Sequence, residues 1–160
     1  MKAELHTQPF ISLILARRSQ EGFTLLELLV VMVIIGMLSA IAMPSFLSQS
    51  NKARQAEAKT YVGAINRAQQ AYFTEKSAFG TLSDLAMGLS DSRNYTYASV
   101  PSGAGTSAIA STTAVPIGTV RGYAGRVWIG VMSDGNATSW SIVCEGTPTA
   151  VPTIVGTVCP

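Results

Sequence analysis

Histidine is almost missing from this sequence. His6 is its only example, and residues 7–160 contain none. That removes the usual proton carrier near neutral pH and the commonest metal ligand from nearly the whole chain. Charge is scarce as well: Asp, Glu, Lys and Arg make up 12% of the 160 residues and leave a net charge of +2. No basic block occurs beyond the first residues, so nucleic-acid binding has no electrostatic footprint. Cysteine occurs twice, as Cys144 and Cys159, with no Cys-x-x-Cys pair to support thiol redox chemistry. Serine and aspartate are scattered. These shortages exclude most enzyme classes, and no catalytic residue, cofactor or metal ligand is expected.

The chain has instead a long apolar run. No charged residue stands between Leu28 and Asn51. Leu28–Leu47 alone makes a helix of roughly 30 Å, the thickness of a bilayer's hydrocarbon core. Lys2, Arg17 and Arg18 precede it, which predicts a cytoplasmic N-terminus with the bulk of the chain translocated. An ordinary secretory signal would be cut after the apolar stretch and would lose the best-patterned helix in the protein. Glu27 stands at the front edge of the run. An acid within hydrocarbon costs a few kcal/mol and is kept for function. In the first helical turn near the interface the same acid simply favours the helix dipole. The residues alone leave both readings open. Gly36 lowers helix propensity by about 1 kcal/mol relative to alanine. Pro44 removes a backbone hydrogen bond and predicts a kink, although membrane helices tolerate both residues.

Residues 45–76 continue as an amphipathic helix. Tyr61, Ile65, Ala68 and Tyr72 fall at i, i+4, i+7 and i+11, a stripe suited to a core. From Phe23 to Phe73 the helix spans roughly 75 Å. Composition then shifts after Phe79-Gly80. Ser83 is a candidate cap for a short helix at Ser83-Asp84-Leu85, and Asn94–Val100 reads as a strand. Residues 101–118 are uncharged and rich in small polar residues, and read as an exposed loop. Tyr123–Met132 and Ala137–Cys144 flank Asp134-Gly135, a pair that favours a two-residue hairpin turn. That turn pairs Ser133 with Asn136. It sets Val127 opposite Ile142, Ile129 opposite Trp140 and Val131 opposite Thr138 on one face, with Cys144 next along it. Trp128, Gly130, Ser139 and Ser141 then face solvent. A hairpin alone is marginal, so its apolar face should pack on the helix stripe and give an α+β head. With export, Cys144 and Cys159 are expected to form a disulfide closing about 16 residues and worth roughly 3 kcal/mol, a staple for the tail 145–160.

One stretch carries a specific likeness. Gly22-Phe23-Thr24-Leu25-Leu26-Glu27, followed by the apolar run, resembles the N-terminal signature of type IV pilins and pseudopilins. Lys52–Lys76 is similar to major pilins of cyanobacteria, and the resemblance as a whole covers residues 17–80. It implies that a prepilin peptidase cuts between Gly22 and Phe23 and methylates the new amine of Phe23. Glu27 then neutralises the Phe23 amine of a neighbouring subunit. Gly36 and Pro44 fall where many pilins place helix-weakening residues, in a segment that unwinds when subunits pack. The implied layout is a leader 1–22, a hydrophobic transmembrane and assembly helix 23–51, and a globular head 52–160. The head divides into an amphipathic helix 52–79, a variable region 80–118, a β-hairpin 119–144 and a disulfide-bounded tail 145–160.

The resemblance also implies partners. They are copies of the chain in a helical homopolymer, the prepilin peptidase, an inner-membrane assembly platform with its ATPases, and the membrane itself before assembly. The precursor would cross the inner membrane once and end in a surface pilus serving motility, adhesion or DNA uptake. A type II secretion pseudopilin or a minor pilin is the alternative within the family. Many major pseudopilins bind calcium through acids near the C-terminus, whereas residues 136–160 hold one acid, Glu145. Tip subunits often lack the acid that Glu27 matches. An alternative of another class is a membrane-anchored extracytoplasmic binding module, in which Glu27 would be dispensable.

Overall fold

A computed structural model describes residues 22–160; the expected leader, with Lys2, His6, Arg17 and Arg18, lies outside the described residues apart from Gly22. One helix, α1 (Leu25–Lys76), is followed by four strands, β1 (Tyr95–Ser102), β2 (Ile109–Pro116), β3 (Arg121–Val131) and β4 (Ala137–Pro148). The strands form one antiparallel sheet in the order β1-β2-β3-β4. The chain divides into two compact units at the Met43–Pro44 junction. In the first unit every described residue is exposed.

In the second unit, the later part of α1 lies on one face of the sheet. Ala58, Val62 and Ile65 are fully buried against Tyr95, Tyr97, Ala114, Val120 and Tyr123. Strand side chains alternate between faces, so Tyr123, Gly125, Val127 and Ile129 of β3 point to the helix together with Ala110, Thr112 and Ala114 of β2. The helix-facing side chains of β2 are all small. At Gly125 a Cβ would fall 2.6 Å from Asn66 Oδ1 and 2.7 Å from Val62 Cγ1, so the helix crosses where β3 has no side chain.

Two polar residues complete this seam. Gln69 is fully buried. Its Nε2 donates to Gly80 O at 2.5 Å and to Ser99 Oγ at 2.8 Å, and its Oε1 accepts from the Gly80 N–H at 3.0 Å. Asn66 Nδ2 donates to Ile142 O at 3.0 Å. The buried stripe is therefore Ala58, Val62, Ile65, Asn66 and Gln69, while Tyr61, Ala68 and Tyr72 are half-buried at its border. Apolar periodicity placed the stripe off centre because it gives no weight to a buried amide with partners.

Three further expectations are corrected. The helix capped by Ser83 does not form, and Leu82–Ala86 is a turn. Asp84 Oδ2 organises it by accepting from the Thr81 N–H at 2.7 Å and the Thr81 hydroxyl at 2.6 Å. These bonds hold the Asp84 carboxyl below the usual carboxylate range. Left-handed backbone at Ala86 and Gly88 ends the turn at once. Residues 101–118 are not one loop, because 109–116 form β2, the strand between β1 and β3. Its small Ala and Thr side chains suit close approach of α1, which made the segment look like loop by composition.

The β3–β4 register also differs by one residue. Gly135 N–H donates to Met132 O and Met132 N–H to Asn136 O, both at 2.9 Å, and Gly135 has φ of +79°. The loop thus has three residues, Ser133 to Gly135, with glycine in the left-handed position. A slip of one residue moves every side chain of a strand to the other face. Val127 lies opposite Ser141, Ile129 opposite Ser139, and Val131 opposite Ala137. Trp140, Ile142 and Cys144 turn away from α1 and lie opposite Trp128, Arg126 and Ala124.

That outer face is covered in part by the C-terminal tail. Ile154 and Val151 pack on Ala124, Ile142 and Cys144. The tail backbone passes so close that a Cβ at Gly122 would fall 2.5 Å from Ala150 O.

Two outcomes follow for this unit. Gly125→Ala is expected to lower its stability by about 1–3 kcal/mol, since stiff Val62 and hydrogen-bonded Asn66 must yield; an unchanged urea midpoint would contradict the close seam. Burial pushes the Tyr95 and Tyr97 phenols up to about 12, against about 10 in an unfolded chain. Both are raised, so their contribution to stability is complete below about pH 10 and is lost as pH rises toward 12. An alkaline titration followed by phenolate absorbance should show their ionisation coinciding with loss of the folded circular dichroism signal.

Candidate functional site

The start of α1 is built by a side chain. Thr24 Oγ1 accepts from the Glu27 N–H at 3.2 Å, and Thr24 O accepts from the Leu28 N–H at 3.3 Å. Threonine followed three residues later by glutamate is the capping-box spacing, so Thr24 caps the helix and Glu27 occupies its first turn. The carboxylate there complements the exposed amides of the helix start. Phe23 stands just ahead with 78% of its surface exposed. The structure therefore brings Phe23, Thr24 and Glu27 into one turn. Among the described residues, Arg121–Glu145 at 3.1 Å is the only ion pair, and no cation reaches Glu27.

Behind this cap, every residue from Gly22 to Gln49 is exposed. Leu25, Ile34, Met37, Ile41 and Phe46 represent an apolar surface that runs round the whole helix. No single stripe could cover it, which distinguishes this segment from the amphipathic part beyond. By length and composition it suffices to cross a membrane. So large an apolar surface demands lipid or protein around it. Gly36 lies within it and a Cβ there would meet nothing within 4 Å, so packing inside the subunit does not require glycine. Pro44 lies inside α1, which is helical on both sides of it.

The cysteines are joined: Cys144 and Cys159 form a disulfide with their Cα atoms 5.4 Å apart. Cys144 is buried on the outer face of β4, and Cys159 is exposed. Arg126 Nη1 donates to Gly156 O at 2.6 Å, a second tie on the same tail. Beside these ties Val155 and Val158 bridge across a turn and project into solvent. The cysteine pair and the Phe23–Glu27 turn belong to different units of the molecule. Thr24 and Arg126 were not singled out from the sequence. The signal for Thr24 was in view as the Thr-x-x-Glu spacing, while nothing local points to Arg126.

Comparison with known proteins bears on both units. Residues 55–157 match the family described as type IV pilin-like G and H, and residues 17–43 match the prokaryotic N-terminal methylation motif. The type IV major pilin protein PilA of Myxococcus xanthus is 47% identical over 58 residues, 36% of this chain and 26% of that protein. The fimbrial protein EcpC of Eikenella corrodens is 31% identical over 128 residues, 78% of this chain and 82% of that protein. The type II secretion system core protein G of Vibrio cholerae is 41% identical over 64 residues, 40% of this chain and 44% of that protein. The chain thus spans about a quarter of the Myxococcus relative and under half of the Vibrio one, but most of the Eikenella protein. The likeness of Lys52–Lys76 to cyanobacterial pilins is not confirmed by these relatives. No solved structure matches the chain.

Replacing Cys144 and Cys159 together by serine is expected to lower the stability of the second unit by about 3 kcal/mol. Thermal unfolding of the full chain in detergent, followed by near-ultraviolet circular dichroism, checks this. An unchanged midpoint would mean that the tail is held by its packing alone.

Proposed function

The chain belongs to the type IV pilin-like G and H family, and on that premise we propose that it is a structural subunit of a type IV pilus. The role is assembly and not catalysis. The observation that carries this reading is the uncovered apolar length from Gly22 to Gln49, headed by a capped turn with a carboxylate. Such a helix has two suitable surroundings, a bilayer before assembly and a bundle of like helices after it.

On this reading the precursor is anchored in the inner membrane with its N-terminus cytoplasmic. A prepilin peptidase cuts between Gly22 and Phe23 and methylates the Phe23 amine. The assembly platform and its ATPases then move the subunit into a surface filament. Glu27 is the residue on which assembly turns. Left unpaired in an apolar bundle, its carboxylate would cost a few kcal/mol. A neighbouring subunit's Phe23 amine removes that cost and sets the axial register of the two copies. Gly36 contributes no packing of its own and Pro44 has no N–H to donate. The stretch between them is therefore the segment that unwinds as helices pack.

A second reading has its own support. The matches to type II secretion core protein G favour a pseudopilin, which shares the processing and the helix but not a surface pilus.

The test is the intact mass of the protein in filaments sheared from cells. A chain starting at Phe23, one methyl heavier and two hydrogens lighter than its sequence, is the expected result. An unprocessed chain kept in the membrane would overturn the filament reading in favour of an anchored binding module. A processed, methylated chain missing from the sheared material would select the pseudopilin. Glu27→Ala should abolish surface filaments while leaving the thermal midpoint of the second unit unchanged; normal pili from this variant would remove Glu27 from the account.

A further inference from the structure

The second unit opens with a stretch of α1 that its own core leaves unused. Phe46 and Leu47 are exposed, and the polar residues Ser48 to Asn51 follow. Lys52 and Arg54 then supply the first charges after Glu27. Both are exposed, and the first fully buried residue of the helix is Ala58. Among the described residues neither cation takes part in an ion pair. Glu57 stands three residues beyond Arg54, a spacing that allows such a pair, yet none forms.

The arrangement of the two cations points to the shape of their partner. A helix turns about 100° and rises about 1.5 Å per residue, so side chains two positions apart point to nearly opposite sides at almost one level. Lys52 and Arg54 therefore form a collar around the helix and not a stripe along it. A stripe faces a single neighbour, such as another helix or a groove. A collar faces a layer that surrounds the helix. Lys and Arg also carry long apolar stems, which let the charged ends reach into such a layer while the helix axis stays where it is.

Their place in the sequence is unusual for a translocated flank. Lys and Arg beside an apolar run collect on its cytoplasmic side, and Arg17 and Arg18 already stand before this one. Cations kept on the opposite flank call for an anionic partner there. We propose that Lys52 and Arg54 bind the headgroup phosphates of anionic phospholipids, such as phosphatidylglycerol, in the extracytoplasmic leaflet of the inner membrane. The collar fixes the depth at which α1 leaves the bilayer before assembly. This deepens the membrane stage of the function proposed above and rests on its topology.

The test uses the full chain in detergent micelles holding equimolar phosphatidylglycerol and phosphatidylcholine, with native mass spectrometry to count the lipids retained. Phosphatidylglycerol should be preferred. Each cation at the surface strengthens attraction to anionic lipid roughly fivefold, so Lys52→Gln combined with Arg54→Gln should lower the preference by about tenfold to thirtyfold. Lys52→Arg combined with Arg54→Lys should retain it. The leader cations are the same in every variant, so the difference belongs to the collar. A change of less than about threefold in the glutamine variant overturns the proposal. Saturable binding of soluble glycerol phosphate, lost in the same variant, overturns it in favour of a free-anion site. Protease added to spheroplasts checks the topology separately. A protected head removes that premise and the proposal with it, whereas a digested head without lipid preference rejects the collar alone.

Discussion

The distance between α1 and the sheet is set where Val62 and Asn66 meet Gly125, and much of the second unit follows from that contact. A helix so close to a sheet leaves no room for large side chains beneath it. β2 accordingly presents Ala110, Thr112 and Ala114 to the helix. The large apolar groups are displaced to the two ends of the seam. Tyr95, Tyr97 and Tyr123 gather at one end, and Phe73, Phe79 and Ile129 at the other. Between them the amides of Asn66 and Gln69 take the place of apolar filling, each bonded to backbone. The Gln69 bonds to Gly80 also fix where the chain turns after the helix, and so the point from which the strands start.

The same helix obeys the opposite rule before Pro44. There nothing in the subunit covers it, and apolar residues occupy every side. The proposed assembly role needs this contrast. One part of α1 is spent on the subunit's own core, and the other is left for lipid or for other copies. The capped turn at Thr24 keeps the exposed end helical up to Glu27, so the carboxylate is carried on a rigid element.

How far this was legible in the sequence depends on which signal each element sends. The apolar run from Leu28 and the acid before it were plain, because membrane length and missing charge are visible without any partner. The α+β head and the disulfide were also legible, from the 3.6-residue period, the Asp134-Gly135 turn and the two cysteines. β2 was not, since Ala and Thr chosen for close packing have the composition of a loop. The hairpin was located, but its register was lost by one residue. Asp-Gly serves a three-residue loop as readily as a two-residue one, and only backbone geometry at Gly135 separates the two. That single slip concealed the outer face, because it turned Trp140 and Cys144 toward α1, whereas both lie on the opposite side of the sheet. Gln69 and Asn66 were hidden for a related reason, as their partners lie far off in sequence.

The order of elements along the chain has a mechanical consequence. The four strands begin at Tyr95, after α1 has ended at Lys76. Stretching or unwinding α1 before Pro44 therefore breaks no ladder bond of the sheet, because every ladder joins residues from Tyr95 onward.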